Sequence, residues 1–219
     1  MYRQVLSVDY AFGKTYAKGI RVNVSVADEI KPMVTFYKLG GQEISLTNYE
    51  FTKLTDIEPV LTSFFGNSGE VDGGSRMAIT PTLGVRFDTS FESRMIVIER
   101  HEVKHREPGA RTSSIWLIER SWTNFLSLLP LIKHHLESRT KWIESIENLI
   151  EQMAKDTLLM YREPLLEGVT TYEYKKLLST LDPKSYNSTL ADGLDVMVLF
   201  HELCCACAEH VVYVTRKNM

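Results

Sequence analysis

The sequence predicts an α+β fold made of two ββββα repeats followed by a helical extension. Residues 44–65 (ISLTNYEFTKLTDIEPVLTSFF) and 115–136 (IWLIERSWTNFLSLLPLIKHHL) align without a gap, which indicates a duplicated structural unit. Each segment follows a series of short apolar runs with the period-two pattern of half-buried strands. The last third of the chain has helical periodicity and no counterpart in the rest. We therefore expect a first repeat at 1–68, a second at 69–138, and a helical extension at 139–219.

The first repeat begins with three apolar-rich runs. Apolar and polar residues alternate over 6–12 and 20–26, and a shorter run covers Met33 to Leu39. Each run fits an antiparallel strand with one buried and one solvated face. Gly40-Gly41 provides a tight turn into a fourth strand that carries Ile44 and Leu46.

A change of period marks the passage from the fourth strand to a helix. In both aligned segments the period-two pattern becomes helical, at about Thr47 and at about Ile118. Pro59 and Pro130 occupy equivalent positions within the two helices. Each proline is expected to kink or interrupt its helix, because proline lacks the amide hydrogen and clashes with the preceding turn.

The second repeat follows a Gly- and Ser-bearing linker at Gly66 to Ser75. Met77 and Ile79 open its first strand, residues 84–88 echo residues 19–23 as a second strand, and Met95 to Arg100 forms a third. A long polar loop, His101 to Ser114, replaces the Gly-Gly turn of the first repeat. The strand of Ile115 and Leu117 then enters the second helix.

Three helical segments make up the predicted extension. Lys141 to Tyr161 has apolar residues at helical spacing, and Pro164 closes it. Thr171 to Leu181 is a shorter helix with Thr170 or Thr171 as its cap and Glu173 near its start. Leu190 to Val214 is mostly apolar, which favours burial against the rest of the chain or a partner. We expect this extension to mediate self-association, making the protein a homo-oligomer.

Matching residues at the two strand-to-helix junctions carry a family resemblance. They are Ile44, Ser45, Leu46, Phe51, Leu54 and Ile57 in the first repeat, and Ile115, Leu117, Trp122, Phe125 and Leu128 in the second. This pattern resembles the junction of the positive-cofactor-four family of transcriptional coactivators, over about residues 1–137. The family's basic, serine-rich arm is absent from this chain.

The resemblance implies a fold and a function. In that family a four-stranded sheet precedes a helix, two units pair through their helices, and the pair binds single-stranded nucleic acid. Whirly-type binders carry both units on one chain. The resemblance thus implies an intramolecular pseudo-dimer of antiparallel sheets around a helical core, and a single-stranded DNA-binding protein of replication, recombination or transcription.

Cations and aromatic residues mark the predicted interface, since phosphates attract cations and unpaired bases stack on aromatic rings. Arg21 and Arg86 lie at equivalent positions on the solvated faces of the two second strands, and Tyr37 and Trp116 also point away from the core. The remaining cations gather around the polar loop of the second repeat: Arg94, Arg100, Lys104, Arg106 and Arg111, with His101 and His105. RNA remains an alternative to DNA, because stacking surfaces tolerate both sugars.

Two alternative functions remain open. One is a structural or adaptor protein whose repeat serves assembly without nucleic-acid binding. The other is a zinc metallopeptidase, because His101, Glu102 and His105 form H-E-x-x-H, with Glu119 or Glu137 as the third ligand. That motif requires a helix, whereas here it directly follows a predicted strand and precedes Pro108-Gly109. The sequence therefore favours a protein without catalytic residues.

Other histidines and cysteines favour packing roles. His201, Cys204, Cys205, Cys207 and His210 lie on one apolar segment without the paired C-x-x-C spacing of zinc ribbons. Free cysteine is commonly a small core residue, so packing is the favoured interpretation and a zinc site the alternative. His134 and His135 are likewise interpreted as surface or packing residues. We expect no cofactor and no metal.

Composition and charge limit the remaining classes. The 219 residues are 44% hydrophobic and 24% charged, with a formal net charge of −3, so any polyanion site must be a local patch. No apolar run approaches the roughly 20 residues that cross a bilayer, and we expect no membrane association. The N-terminus lacks the apolar region of a signal peptide, and the clustered cysteines suit a reducing compartment. The expected location is cytoplasmic or nuclear.

Overall fold

The computed structural model describes residues 4–13, 17–27, 29–66, 74–90, 93–100, 113–161, 170–189 and 191–206, together with residues 208, 211 and 214. It has an α+β architecture with two four-stranded sheets, each formed by consecutive strands in chain order. The first sheet contains β1 (Gln4–Ala11), β2 (Lys18–Val26), β3 (Ile30–Lys38) and β4 (Gln42–Thr47). The second contains β5 (Arg76–Ala78), β6 (Leu83–Asp88), β7 (Met95–Arg100) and β8 (Ser114–Ile118).

Helices follow each sheet directly. The first sheet leads into α1 (Asn48–Asp56) and α2 (Glu58–Gly66), and the second leads into α3 (Glu119–Tyr161). The extension continues with α4 (Thr171–Leu178), a 3₁₀ helix (Pro183–Thr189) and α5 (Val196–Ala206). The four strands predicted before each helix and the change to helix after Thr47 and Ile118 are therefore confirmed.

The last hairpin of the first sheet has the predicted turn. Gly40 and Gly41 have φ angles of 102° and 91°, in the region that glycine adopts without steric cost. The turn sets an antiparallel register in which Phe36 lies opposite Ile44. In the second sheet, Ile98 lies opposite Ile115. These four side chains point to the same side of their sheets as the buried core.

A capping box fixes the start of α1. The amide of Glu50 donates to the Thr47 hydroxyl oxygen at 3.2 Å, and the amide of Thr47 donates to the Glu50 carboxylate at 2.9 Å. Two amides at the helix start, which have no partner within the helix, are thereby satisfied. A second capping box, between Thr170 and Glu173, begins α4 as predicted.

The two helix prolines have different outcomes. The helix after β4 is interrupted at Ile57, and Pro59 lies in the first turn of α2, where proline is well tolerated. By contrast, α3 passes through Pro130 without interruption. The predicted boundary between residues 138 and 139 falls inside this 43-residue helix.

The last helix begins later than the sequence pattern predicts. The prediction began at Leu190, but residues up to Asp195 precede α5. The Asp195 carboxylate accepts hydrogen bonds from the amides of Met197 and Val198 at 2.8 and 3.2 Å. Asp195 therefore caps the first turn of α5 and determines where it begins.

Two compact units divide the chain. One unit comprises residues 8–22 and 33–136, and its core contains the buried aromatic residues of both sheets and their helices, among them Phe12, Phe36, Phe51, Trp122 and Phe125. The other comprises residues 1–7, 23–32 and 137–219, and its core includes residues of β2, α3, α4 and α5, among them Val24, Ile150, Tyr174 and Leu199.

The outer face of β2 differs from the prediction. The alternation predicts that Asn23 and Ser25 lie on a solvated face, but their exposures are 0% and 6%. Thr35 on β3 is also buried, and its hydroxyl bonds with that of Ser45 at 2.8 Å. Among the described residues, the Asn23 amide group has no hydrogen-bond partner. The expectation of one fully solvated sheet face is therefore wrong at this end of the strand.

Candidate nucleic-acid interface

Arg21 and Tyr37 lie together on the outer face of the first sheet. The Arg21 guanidinium is 5.4 Å from the centroid of the Tyr37 ring. The Tyr37 ring closely approaches Gly19, where an added Cβ would lie 2.5 Å from the tyrosine hydroxyl oxygen. A glycine at position 19 is thus required for Tyr37 to occupy this place on the sheet.

The charge of Arg21 is compensated on the same face. Its Nε donates to Asp9 Oδ1 at 2.8 Å, and its Nη2 donates to Asp9 Oδ2 at 3.3 Å. The hydrogen bond with Asp9 raises the pKa of Arg21 above its usual value. A polyanion on this face would therefore meet an ion pair and an aromatic ring together.

A groove of about 500 Å³ lies on the outer face of the second sheet. Trp116, Val97, Met95 and Ile118 provide its apolar and aromatic lining, and Arg86 is on its polar side. The ring and the aliphatic side chains come from β7 and β8, where alternation directs every second residue away from the core. The groove is therefore lined by apolar and aromatic side chains next to a cation.

Arg86 also has carboxylate partners. It lies 2.5 Å from Asp88 Oδ2 and 3.8 Å from Glu99 Oε2, and Glu99 is 3.5 Å from Arg76. Hydrogen bonds from Ser90 and Arg86 lower the pKa of Asp88. The arginines predicted on both outer faces are therefore where alternation places them, but neither is an isolated positive charge.

Two lysines approach Trp116. The ammonium nitrogen of Lys18 is 2.9 Å from the ring centroid and that of Lys38 is 4.7 Å away. Lys18 also donates to the Trp116 carbonyl oxygen at 3.2 Å. Burial and the charge of Lys38 lower the pKa of Lys18 to about 8. We call Lys18, Lys38 and Trp116 the lysine corner.

Sequence reasoning missed both lysines of the lysine corner. Lys18 begins β2 and Lys38 ends β3, so neither belongs to the alternating pattern that identified Arg21 and Tyr37. The sequence offered one signal for Lys38, which is its position at the end of β3 next to the turn. A side chain there can reach the neighbouring strands.

The other predicted cations divide into two groups. Arg94 donates to the carbonyl of Phe64 at 2.5 Å and lies 5.5 Å from the Phe64 ring. Arg100 donates to both carboxylate oxygens of Glu50 at 2.9 Å and to the Ser45 carbonyl at 2.6 Å. Both therefore contact protein groups of the first repeat. Lys104, Arg106 and Arg111 lie outside the described residues.

The metal-ligand candidates are only partly described. His101, Glu102, His105, Cys207 and His210 lie outside the part of the chain that the structure describes. Cys204 is buried, and burial raises the pKa of its thiol to about 12. Cys205 is exposed, with its sulfur 3.6 Å from His201 Nε2. Within the described ranges, no three His, Cys, Asp or Glu side chains are grouped to hold a metal ion.

The adjacent histidines of α3 occupy different surroundings. His134 is exposed, whereas His135 is half-buried with its ring 6.0 Å from that of Tyr10.

None of the helices in the described ranges has the length and apolar character to span a membrane.

No protein-family model matches the chain, and no curated protein matches it in sequence.

Proposed function

We propose that this protein binds single-stranded DNA on the outer faces of its two sheets. The observation that carries the proposal is the groove on the second sheet, where half-buried Trp116 and aliphatic side chains of β7 and β8 form a lining beside Arg86. Aromatic rings stack on bases of any sequence, and neighbouring cations attract the phosphates. The proposed binding therefore has little sequence preference and serves replication, recombination or transcription.

We also propose that the two sheets and their helices form a pseudo-dimer of the kind found in the positive-cofactor-four and Whirly-type families. Contacts between the two repeats support this arrangement. The Ser113 hydroxyl donates to the Glu43 carbonyl at 2.5 Å, and Trp122 Nε1 donates to the Thr62 hydroxyl oxygen at 2.9 Å. Trp122 and Thr62 belong to the helices that follow the two sheets, so these helices meet in the common core.

The pairing of the outer-face arginines with aspartates determines how much of the expected affinity comes from base stacking and how much from attraction of the phosphates. Arg21 and Arg86 are each hydrogen-bonded to an aspartate, so their net attraction for phosphate is small. In the proposal, stacking on Trp116 and Tyr37 supplies much of the affinity. Lys104, Arg106 and Arg111 supply the electrostatic part, whereas Arg94 and Arg100 at the ends of β7 are already bonded to protein groups.

The test is fluorescence anisotropy with labelled oligonucleotides of about 30 nucleotides, single- and double-stranded DNA and single-stranded RNA, at low and moderate salt. We expect tight single-strand binding that Trp116→Ala weakens by roughly 5- to 100-fold, because each stacked base contributes about 1–3 kcal/mol. Tyr49→Ala, which removes an exposed aromatic ring from α1, is the matched control and should bind as the wild type does.

Further variants locate the electrostatic part of the site. Lys104→Ala combined with Arg106→Ala should weaken binding and reduce its salt dependence. Absence of single-strand binding by the wild-type protein at low salt would overturn the proposed function. Equal binding by Trp116→Ala and wild type would show that the groove is not part of the binding site.

A second candidate is an assembly protein without nucleic-acid binding. The observation that favours it is the ion pairing of Arg21 and Arg86, which leaves the described outer faces without strong excess charge. The proposed self-association through the helical extension is compatible with either candidate function. Light scattering tests it, and a monomer at micromolar concentration would contradict it.

A further inference from the structure

The lysine corner has an equivalent position in the other repeat, and the two positions carry different residues. The gap-free alignment of residues 44–65 with residues 115–136 matches Ser45 with Trp116 and Glu50 with Ser121. The strand registers extend this match, because Phe36 lies opposite Ile44 and Ile98 lies opposite Ile115. Two residues further along β3 and β7, Lys38 is therefore equivalent to Arg100.

The site equivalent to the lysine corner, which we call the first corner, consists of Ser45, Glu50 and Arg100. There the positive charge of Arg100 is paired with the carboxylate of Glu50. Arg100 reaches the Ser45 carbonyl at 2.6 Å and holds both oxygens of Glu50 at 2.9 Å. Glu50 is 7% exposed. The pair has bidentate geometry, which is the strong form of an arginine–carboxylate contact.

At the second corner the carboxylate is missing. Lys18 reaches the Trp116 carbonyl, the equivalent of the Ser45 carbonyl, and Lys38 lies on the equivalent strand end. Ser121 replaces Glu50 and carries no charge. Within the described residues, neither Lys18 nor Lys38 has a carboxylate at ion-pair distance, so two ammonium groups share one partly buried site without a counter-charge.

We propose that the lysine corner binds a phosphate group, which takes the place that the Glu50 carboxylate has at the equivalent corner. One phosphate can accept hydrogen bonds from two ammonium groups, because its oxygens point in different directions. The assignment of this phosphate to the backbone of a bound strand rests on the proposed function. There, the phosphate would belong to a nucleotide whose base lies in the groove beside Trp116.

Binding at this corner should depend on pH. The groups that face the Lys18 ammonium are Lys38 from β3 and the ring and carbonyl of Trp116 from β8. From β1 and its end, the contact with Lys18 is a backbone hydrogen bond, in which the Phe12 amide donates to the Lys18 carbonyl. Its pKa of about 8 means that Lys18 is largely charged at pH 7 and largely neutral at pH 9. A bound phosphate favours the charged form, so binding takes up protons and weakens as pH rises through 8. The phosphodiester of the strand does not titrate in this range.

The experiment measures binding of a single-stranded oligothymidylate by anisotropy across a salt series at pH 7 and pH 9. It compares the wild type with Lys18→Met and Lys38→Met. Lys53→Met, which removes an exposed lysine from α1, is the matched control for charge and size. Circular dichroism and thermal unfolding establish that each variant is folded.

For the wild type we expect binding up to about tenfold weaker at pH 9, since only about one Lys18 in ten is then protonated. Lys18→Met should lose this pH dependence. Each lysine variant should reduce the salt slope by at most about 0.7, the value for the one phosphate that the two lysines share. Lys53→Met should retain the wild-type pH profile. Unchanged salt slopes and pH profiles in both corner variants would overturn the proposal.

Isothermal titration with pyrophosphate separates this proposal from the proposed function. If the wild type binds no strand but binds pyrophosphate in a Lys18-dependent manner, the phosphate site is supported and its ligand is a small phosphate. If the strand binds independently of both lysines and pyrophosphate does not bind, the proposed function survives and the phosphate site fails. Absence of binding to either probe overturns both.

Discussion

At the scale of single residues, the Glu50–Arg100 contact has a consequence for stability. Burial raises the pKa of the Glu50 carboxyl, but hydrogen bonds from Arg100 and Thr47 outweigh burial and leave the pKa below its usual value of 4.5. A carboxyl whose pKa is lower in the folded state stabilises the fold above its unfolded pKa. This contribution is lost as pH falls below 4.5 through the folded pKa.

Glu50→Gln should therefore lower the free energy of unfolding at pH 7 by about 2 kcal/mol, within the range for hydrogen bonds to charged groups. The effect is moderate because the Arg100 side chain is 30% exposed and solvent screens its charge. Urea unfolding at a series of pH values measures the effect, and the difference from wild type should shrink below pH 4.5. Glu147→Gln on the exposed face of α3 is the control. A constant difference from pH 7 to pH 3 would contradict the assignment.

At the scale of elements, the two helix prolines make a matched pair. Pro130 lies inside α3, where it removes the amide that would bond to the carbonyl of Leu126. Pro59 lies in the first turn of α2, where amides have no partner within the helix. Both prolines are exposed, so substitution by alanine alters little packing.

We expect Pro130→Ala to raise the free energy of unfolding by about 2 kcal/mol, since proline in a helix interior is about 3 kcal/mol less favourable than alanine. Pro59→Ala should change it by less than about 0.5 kcal/mol, as is usual for surface substitutions. Urea unfolding monitored by circular dichroism provides both values. Equal effects of the two substitutions would show that Pro130 is accommodated as easily as a helix-start proline.

The same elements show what local sequence can predict. Period-two alternation located the strands because each side chain of a strand with one buried face is fixed by that face. The change of period at about Thr47 predicted a helix start, and there the structure has a capping box between Thr47 and Glu50. The pattern did not distinguish one 43-residue helix from two shorter helices, because Pro130 predicts a break that the rest of α3 overrides. Alternation did not predict the burial of Asn23, because it separates the two faces of a strand without showing what covers each face.

At the scale of the whole molecule, distribution of charge matters more than its total. The net charge of −3 indicates little affinity for a polyanion, yet the described cations differ in their partners. Arg21, Arg86 and Arg100 have carboxylates, whereas Lys18 and Lys38 share an aromatic ring. Sequence alone predicted Trp116 and the outer-face arginines as site residues but not this difference, because the carboxylate that pairs with a cation can come from a neighbouring strand, as Asp9 does for Arg21, or from a helix after the other sheet, as Glu50 does for Arg100.

Ser121→Glu tests the equivalence of the two corners directly. If Ser121 corresponds to Glu50, a glutamate there should pair with Lys38 and Lys18. It should raise the pKa of Lys18 from about 8 towards its usual value, and stabilise the protein at pH 7 by about 1 kcal/mol, the upper range for a partly exposed ion pair. It should also weaken strand binding, because the new carboxylate occupies the proposed phosphate position.

Urea unfolding, NMR titration of the Lys18 ammonium and oligonucleotide anisotropy measure these three effects in one variant. Thr123→Glu is the control, because it adds the same charge near the start of α3 at an exposed position. In a Lys38→Met background the stabilisation by Ser121→Glu should decrease, as a double-mutant cycle requires for interacting residues. A stability gain that persists without Lys38, or one that Thr123→Glu reproduces, would attribute the effect to the helix start. The two corners would then not be equivalent.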